Sequence, residues 1–409
     1  MTMQEMTAVA IAAMVLICAA AGAQQAERFE VAAWVDHFDF ATAYDSETPD
    51  GCDQILDHVQ ETGATTILWR NCAGSTMRYP SEVESHHQDA PWDDKREIPD
   101  TRDVYGWVRY GEARPDLLAY AVQSCQRRTM RPGVHWPFEE THWAIWTIGR
   151  WNMDHPQLWG RTRDGRMWWG RCSLAYEETV QHKLALVDEL IDRGIECLFI
   201  ETSRSGGWSP AYEYVEPVVE AWRQEHGTEP PPADDLQWCR HVSGYVTEFI
   251  RRVRERLAAA DREIELMVGV PQITLEGDDP LKTRGLDWRT LVEEQLIDTL
   301  VINYVPFDRG RPFESTREIC SAITDFAGDR CDVLWPVAAY NPGNSGMPAY
   351  QELTGLSRAE VARRLTLMAW EEGAAGISLE CVDYNNYDAE TRQTLRELTT
   401  GQCRWRREQ

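Results

Sequence analysis

Several acidic residues directly follow short apolar runs in this sequence. Glu201 follows the run CLFI, Glu380 follows GISL, and Asp36 follows AAWV. Because burying a carboxylate is costly without a partner, each position predicts either a structural ion pair or a group that acts on a ligand. Hydrolysis of a glycosidic bond needs two carboxyl groups, one as acid/base and one as nucleophile or base. We therefore predict Glu201 as the main catalytic carboxylate, with Glu380 or Asp36 as the second. A salt bridge from Glu201 to Arg70 or Arg204 is the structural alternative.

Polar and aromatic side chains stand at or just beyond the ends of the same runs. Sugar rings present apolar C–H faces on which flat aromatic rings stack, while polar neighbours bind the hydroxyls. We predict carbohydrate as the ligand, although most of the 18 tryptophans are expected to pack the loops. His135 is equally consistent with a hydrogen-bonded histidine inside a core. The predicted substrate-binding residues are His135, Trp136, Glu139, Arg70, Asn303, Tyr304, Asp383, Trp208 and Tyr340.

Eight apolar runs predict strands that would carry these residues. They are mostly continuous rather than alternating, which is typical of parallel strands buried on both faces. Polar residues at the C-terminal ends of such strands would meet at one end of a barrel. The predicted strands span residues 29–38, 64–71, 131–138, 195–202, 263–271, 297–305, 331–340 and 374–383.

Amphipathic stretches between these runs predict helices, so the chain reads as repeated β/α units. Gly63, Gly194 and Gly373 end several helical patterns immediately before the next strand, and Asp287 and Ser357 have the character of N-caps. Eight such units favour a closed (β/α)8 TIM barrel over an open doubly wound sheet. Long β/α loops are predicted after strands 2, 3 and 4, at residues 73–113, 139–175 and 203–235.

The overall charge and the absence of certain motifs argue against several kinds of partner and cofactor. The chain has 409 residues, a formal net charge of −26 and a pI of about 4.8, so nucleic acid and anionic membrane surfaces are poor partners. No GxGxxG follows the first strand, and no CxxC or HExxH pattern occurs. We therefore predict neither a cofactor nor a metal, and the oligomeric state stays open.

The N-terminal residues predict export. Residues 8–22 form a short apolar stretch that ends in small residues, and Ala21-Gly22-Ala23 fits an A-x-A cleavage site. We expect a signal peptide at 1–23 and a single barrel domain at 24–409, periplasmic or extracellular and without a membrane span in the mature form. Cysteines of an exported chain can pair, and Cys320 with Cys331 is the first pair to test.

The most specific stretch lies within residues 150–205. It contains, in order, His155-Pro156, Asp164-Gly165, Cys172-Ser173-Leu174 and Glu201. This order resembles the glycosyl-hydrolase-like barrel families, especially the family-10-like group of bacterial exported proteins. The resemblance implies a (β/α)8 domain related to glycosidases, with Glu201 where relatives keep a catalytic or substrate-binding acid.

Two features depart from that family pattern. The usual acid is Asp, often followed by a second acid, whereas Glu201 is followed by Thr202. Strand seven ends in residues 339–341, Ala-Tyr-Asn, and so lacks the nucleophile of the large clan with acids on strands four and seven. The second carboxylate is therefore expected on strand one, six or eight.

Two other functions fit the sequence. A carbohydrate-binding barrel without catalysis would keep the aromatic loops but no acid pair within about 10 Å. A metal-dependent hydrolase would use Asp36, His37, His135 and Glu201, although their spacing is not diagnostic of a metal site.

Overall fold

The computed structural model describes residues 29–36, 48–86, 116–138, 148–202, 208–271, 279–303, 305, 308–337, 347–380 and 387–401. The expected signal peptide lies outside these residues. So do six residues named above: His37, Glu139, Arg204, Tyr304, Tyr340 and Asp383.

Eight parallel strands close into a barrel, which confirms all eight predicted strands. Each strand pairs in parallel with the next along the chain, and the eighth pairs with the first. The fold is therefore a (β/α)8 TIM barrel. The strands are β1 (Glu30–Val35), β2 (Thr66–Arg70), β3 (Arg131–Pro137), β4 (Cys197–Glu201), β5 (Glu265–Val270), β6 (Thr299–Ile302), β7 (Asp332–Pro336) and β8 (Gly376–Glu380).

Helices surround the barrel and begin and end at the predicted signals. Asp287 and Ser357 accept hydrogen bonds from backbone N–H groups of the first helical turn, at 3.3 and 3.2 Å. Gly63, Gly194 and Gly373 have φ near +83°, the left-handed conformation that favours glycine after a helix. The α-helices span Pro49–Gln60, Leu117–Arg127, Arg150–Asp154, Glu177–Asp192, Glu216–His226, Leu236–Ala258, Asp279–Arg284, Trp288–Glu293, Pro312–Ala327, Met347–Thr354, Arg358–Glu371 and Ala389–Gly401. Within the described ranges no helix is both long and apolar enough to cross a membrane.

Alternation along the strands divides the apolar core into two layers. A large cluster fills the space between the strands and the helices. A smaller cluster fills the barrel interior, and below and above it the interior positions are polar. The interior cluster comprises Ala32, Trp34, Leu68, Cys197, Phe199, Met267, Val301 and Leu334.

The connections after strands two to four carry additional structure. A short antiparallel hairpin follows β2 (Cys72–Ala73 with Thr76–Met77), and a second follows β3 (Trp159–Arg161 with Met167–Cys172). The connection after β4 contains the helix Glu216–His226 before it reaches the long helix Leu236–Ala258. These connections begin at the C-terminal end of the barrel, where β/α barrels build their sites.

Cys320 and Cys331, the first pair to test for a disulfide, are not bonded to each other. Both residues are free thiols. Cys331 directs its thiol to the Asp332 carbonyl oxygen at 3.3 Å, and Cys320 lies on the buried face of a helix. Burial raises the pKa of the Cys331 thiol to about 12, so this thiol stays protonated and unreactive near neutral pH.

Candidate functional site

Glu201 lies at the C-terminal end of β4 and is completely buried. Its carboxylate contacts the His135 ring nitrogen Nε2 at 2.6 Å and accepts a hydrogen bond from the Asn303 amide at 3.1 Å. His135 and Asn303 are buried as well. Three predicted site residues therefore meet in one cluster of side chains, which we call the Glu201 cluster: Glu201, His135 and Asn303.

The barrel register explains how His135 reaches Glu201. Pro137 of β3 is the register partner of Glu201, and His135 lies two residues earlier on the same strand. Residues two apart on a strand point to the same face, so His135 enters the barrel interior one step below Glu201. Its ring lies parallel to that of Phe199 and tilted against Trp34, with centroids 5.4 and 5.5 Å away. These aromatic neighbours fix the imidazole plane against the carboxylate.

Asn303 reaches Glu201 across an intervening strand. Asn303 follows β6, whereas Glu201 ends β4, and Gly269 of β5 lies between them as the register partner of Glu201. A β-carbon at position 269 would come within 2.9 Å of the Phe199 ring and 3.2 Å of the Asn303 amide oxygen. The glycine is therefore what lets the amide approach the carboxylate. A glycine inside a strand commonly marks such a close approach, so the sequence carried a signal for it.

Asp36 and Arg70 form a second buried contact at the same end of the barrel. Arg70 is fully buried; its Nη1 pairs with the Asp36 carboxylate and its Nε donates to the Cys72 carbonyl oxygen at 2.7 Å. Arg70 is the register partner of His135, which places this ion pair beside the Glu201 cluster. Because an arginine partner favours the charged form of a carboxylate, Asp36 is better suited to hold Arg70 than to donate a proton.

Glu380 ends β8, on the other side of β1 from this ion pair. It is the register partner of Trp34 and is 8% exposed. The strand order therefore places Glu380, Asp36, Arg70, His135 and Glu201 on consecutive strands around the same end of the barrel.

The two tryptophans predicted to bind substrate, Trp136 and Trp208, lie outside the Glu201 cluster. Trp136 belongs to the layer between barrel and helices, where its ring packs edge-on against Phe138 at 5.6 Å. Trp208 is buried beneath the guanidinium of Arg171, 4.7 Å from the ring centroid. The prediction that Trp136 faces the ligand is therefore wrong, because neighbours along a strand face opposite sides of the sheet and His135 already points inward.

Sequence reasoning also missed a buried network in the upper loops. Arg171 donates to the Glu213 carboxylate at 2.8 Å, and the Ser173 hydroxyl donates to its other oxygen at 2.5 Å. Glu213 and Arg171 are both buried. This ion pair joins the connections after β3 and β4, and thereby fixes two of the long loops to each other above the barrel.

The metal-dependent alternative receives little support from the described residues. Among them, the one set of three His, Cys, Asp or Glu side chains with ligand atoms close enough for a metal ion is Glu225, His226 and His241. That set lies on two helices outside the barrel. Asp36 is held by Arg70, and His37 lies outside the described residues.

Comparisons with known proteins support the fold. No family model matches the chain, and no curated protein matches it. The β-galactosidase from Rahnella sp. R3 is similar in structure, with a TM-score of 0.58 and 10% identity over 92% of this chain and 56% of that chain. The β-galactosidase Gan42B from G. stearothermophilus gives 0.57 and 9%, over 92% and 57%. The catalytic domain of β-amylase from Paenibacillus polymyxa gives 0.52 and 10%, over 92% and 98%.

These likenesses establish the (β/α)8 barrel alone, since identities near 10% are evidence for the fold and not for the activity. The chain spans little more than half the length of the two β-galactosidases. The resemblance to the family-10-like group stays a prediction.

Proposed function

We propose that this protein is a glycoside hydrolase in which Glu201 is the principal catalytic carboxylate. The observation that carries the proposal is the Glu201 cluster: a fully buried carboxylate at the C-terminal end of the fourth barrel strand, hydrogen-bonded by neighbouring side chains. A buried carboxylate held in place is the arrangement expected of an acid/base or a nucleophile in this fold. The substrate would be an oligo- or polysaccharide.

In this mechanism His135 and Asn303 are positioning residues. Their contacts fix the two carboxylate oxygens in one orientation, so the proton or lone pair of Glu201 is directed before substrate arrives. His135 Nε2 contacts the Glu201 carboxylate directly, so the two groups can exchange a proton during the reaction.

We favour Glu380 over Asp36 as the second carboxylate. Asp36 is engaged by Arg70, and removing it from that pair would leave a buried arginine uncompensated. Glu380 lies two strands from Arg70 and at the same end of the barrel. The separation of the two carboxylates then decides between retention and inversion of the anomeric configuration.

We also propose that the protein acts outside the cytoplasm, on the strength of the apolar stretch at residues 8–22 and the Ala-Gly-Ala that follows. Mass spectrometry of the mature protein, purified from an exporting host, tests this proposal. An N-terminus at Gln24 supports it, and an intact Met1 contradicts it.

The Glu201→Gln variant tests the enzyme proposal. Wild type and variant are assayed on a panel of α- and β-linked oligosaccharides, with Glu293→Gln, an exposed helical carboxylate, as control. We expect hydrolysis of at least one substrate by the wild type and the control. The variant should lose it while retaining binding, because the amide preserves the side-chain shape. Equal turnover by all three proteins would remove Glu201 from the mechanism.

The complete burial of Glu201 also favours a second candidate, a carbohydrate-binding barrel without catalysis. Glu201 and Asp36 are at most 1% exposed, so a sugar would have to displace protein contacts to reach them. Saturable binding of an oligosaccharide, with equal absence of turnover in wild type and Glu201→Gln, would favour this candidate.

A further inference from the structure

Away from the barrel interior, three side chains with metal-binding groups converge on the outer helices. Glu225 and His226 end the helix Glu216–His226, and His241 lies in the second turn of Leu236–Ala258. One ligand atom from each lies within 4.8 Å of the other two. We propose that these three residues form a zinc-binding site, which we call the helix clip.

The contacts of Glu225 within the helix clip are longer than those of a direct ion pair. Glu225 Oε2 lies 3.3 Å from His241 Nδ1, and Glu225 Oε1 lies 3.7 Å from His226 Nε2. A charge-assisted hydrogen bond would bring such atoms to about 2.7–2.9 Å. Ligand bonds of 2.0–2.1 Å around a tetrahedral zinc ion place neighbouring ligand atoms about 3.3–3.4 Å apart. The two contacts, one to each carboxylate oxygen, are therefore looser than direct pairing, and the 4.8 Å limit on the three ligand atoms leaves room for an ion between them.

His241 is oriented as a metal ligand would be. Its second ring nitrogen, Nε2, lies 3.3 Å from the carbonyl oxygen of Val218. When Nε2 carries the proton and donates to this carbonyl, Nδ1 faces Glu225 with its lone pair available. A backbone carbonyl in this role is a common outer partner of metal-bound histidine, because it fixes both the tautomer and the ring plane.

Trp222 supports both histidines from the same side. Its ring lies 3.8 Å from that of His226 and meets that of His241 edge-on at 5.5 Å. Trp222 itself is buried, so this backing is rigid. Packing of this kind reduces the rotamer freedom that the imidazoles would lose on binding an ion.

The ligand set and its exposure indicate the class of ion. Two imidazoles and one carboxylate suit zinc, and the carboxylate offsets one of its two positive charges. The side chains of Glu225, His226 and His241 are 62%, 32% and 12% exposed, so an ion can enter from solvent and keep water at its fourth position. The nearby Arg223 pairs with Glu229 at 2.7 Å, which directs its charge to another carboxylate.

Bound zinc would stabilise the connection after β4. The helix clip joins the two helices of that connection, with the loop at residues 227–235 between them. The same connection follows Glu201 along the chain and carries Glu213. The ion would thus cross-link the two helices of this connection. Structural zinc of this kind adds to the free energy of folding.

Zinc titration of the full-length protein by isothermal calorimetry tests the proposal without any activity assay. The variants are Glu225→Gln and His226→Ala, both at exposed positions, and the matched control is Glu220→Gln on the same helix. We expect one zinc ion per wild-type chain and per control chain, with affinity lowered about 100-fold in both ligand variants. Thermal unfolding should shift upward with zinc in the wild type and the control alone.

Two results would overturn the site. The first is a wild-type chain that binds no zinc at millimolar concentration. The second is zinc binding that the two ligand variants retain at wild-type affinity, which would assign the ion to other histidines. Because neither readout involves sugar cleavage, failure of the helix clip is distinguishable from failure of the proposed hydrolase.

Discussion

The two ends of the barrel interior both contain buried carboxylates, but their partners differ. At the N-terminal end, Arg131 bridges Glu30 and Glu265, and the hydroxyls of Thr66 and Thr299 donate to the same carboxylates. At the C-terminal end, Glu201 is held by the histidine and the amide of the Glu201 cluster. The lower carboxylates share one arginine, whereas the contacts of Glu201 given above are to an imidazole and an amide.

The carboxylates at the C-terminal end of the barrel are less exposed than those at the N-terminal end. An active site would be expected to show the reverse, because substrate must reach it. The side chains of Arg131, Glu30 and Glu265 are 30%, 18% and 16% exposed, whereas those of His135 and Glu201 are at 0%. Accessibility alone would therefore select the wrong end. The position at the C-terminal ends of the strands, where β/α barrels build their sites, favours Glu201.

Among substitutions of the residues that surround the carboxylates, the largest expected effect comes from Asn303→Leu. The substitution keeps the side-chain shape but removes the donor to Glu201, so kcat should fall about 100-fold with KM nearly unchanged. Because the carboxylate loses a hydrogen-bond donor, the pH–rate profile should change as well. Stopped assays across pH measure both. An unchanged pH profile would show that Asn303 acts only in packing.

The corresponding substitution at the N-terminal end of the barrel, called the lower end below, is Arg131→Met. It leaves Glu30 and Glu265 without their shared counter-charge, and we expect a loss of about 2–3 kcal/mol in the free energy of unfolding, reduced from the fully buried case by partial exposure. Urea unfolding measures it, with Arg256→Met, which breaks an exposed pair with Asp188, as control. Equal stability of the two variants would mean that the lower network contributes no more than a surface pair.

A smaller effect is expected from Gly269→Ala. The added methyl group would press on Phe199 and on the Asn303 amide, so turnover should fall about tenfold and stability by about 1–3 kcal/mol. Gly244→Ala is the control, because a β-carbon there meets nothing within 4 Å. Kinetics and urea unfolding on both variants check this. Full activity in Gly269→Ala would show that Asn303 reaches Glu201 without the space at position 269.

The smallest effect is a pH dependence at the lower end. Burial raises the pKa of Glu265 above its ordinary 4.5; Arg131 opposes the shift, and the charge of Glu30 adds to it. A raised carboxyl pKa means that ionisation opposes folding, so the stability contribution is present below the ordinary pKa and is lost as pH rises through the folded value. Wild-type stability relative to Glu265→Gln should therefore decline as pH rises above 4.5. Urea unfolding at several pH values measures the difference in the free energy of unfolding between the two proteins. A wild-type advantage that grows with pH would contradict the prediction.

The fold could be predicted from the sequence because its determinants are local. Runs such as CLFI and GISL are continuous and apolar, as strands buried on both faces must be, and glycines with positive φ end the preceding helices. The strand-end rule then identified Glu201, His135 and Asn303 as site residues. The contact between Glu201 and Asn303 could not be predicted, since the two residues are 102 positions apart and meet across a glycine of a third strand.

The errors have equally physical causes. Trp136 was assigned to the ligand because it follows His135, although strand alternation sends adjacent side chains to opposite faces. The short separation of Cys320 and Cys331 along the chain makes them the first pair to test, but it says nothing about the direction of their thiols. The Arg171–Glu213 ion pair joins two long loops, whose conformations no local pattern specifies.

The central claim is that the carboxylate at the upper end performs chemistry while those at the lower end stabilise the barrel. Its most direct test measures kcat/KM and the free energy of unfolding for Glu201→Gln and Glu265→Gln on one substrate. The account predicts a loss of about 1,000-fold or more in kcat/KM for Glu201→Gln, and wild-type kcat/KM for Glu265→Gln, whose effect is confined to the free energy of unfolding. Wild-type turnover by Glu201→Gln, or a larger kinetic loss in Glu265→Gln, would contradict it.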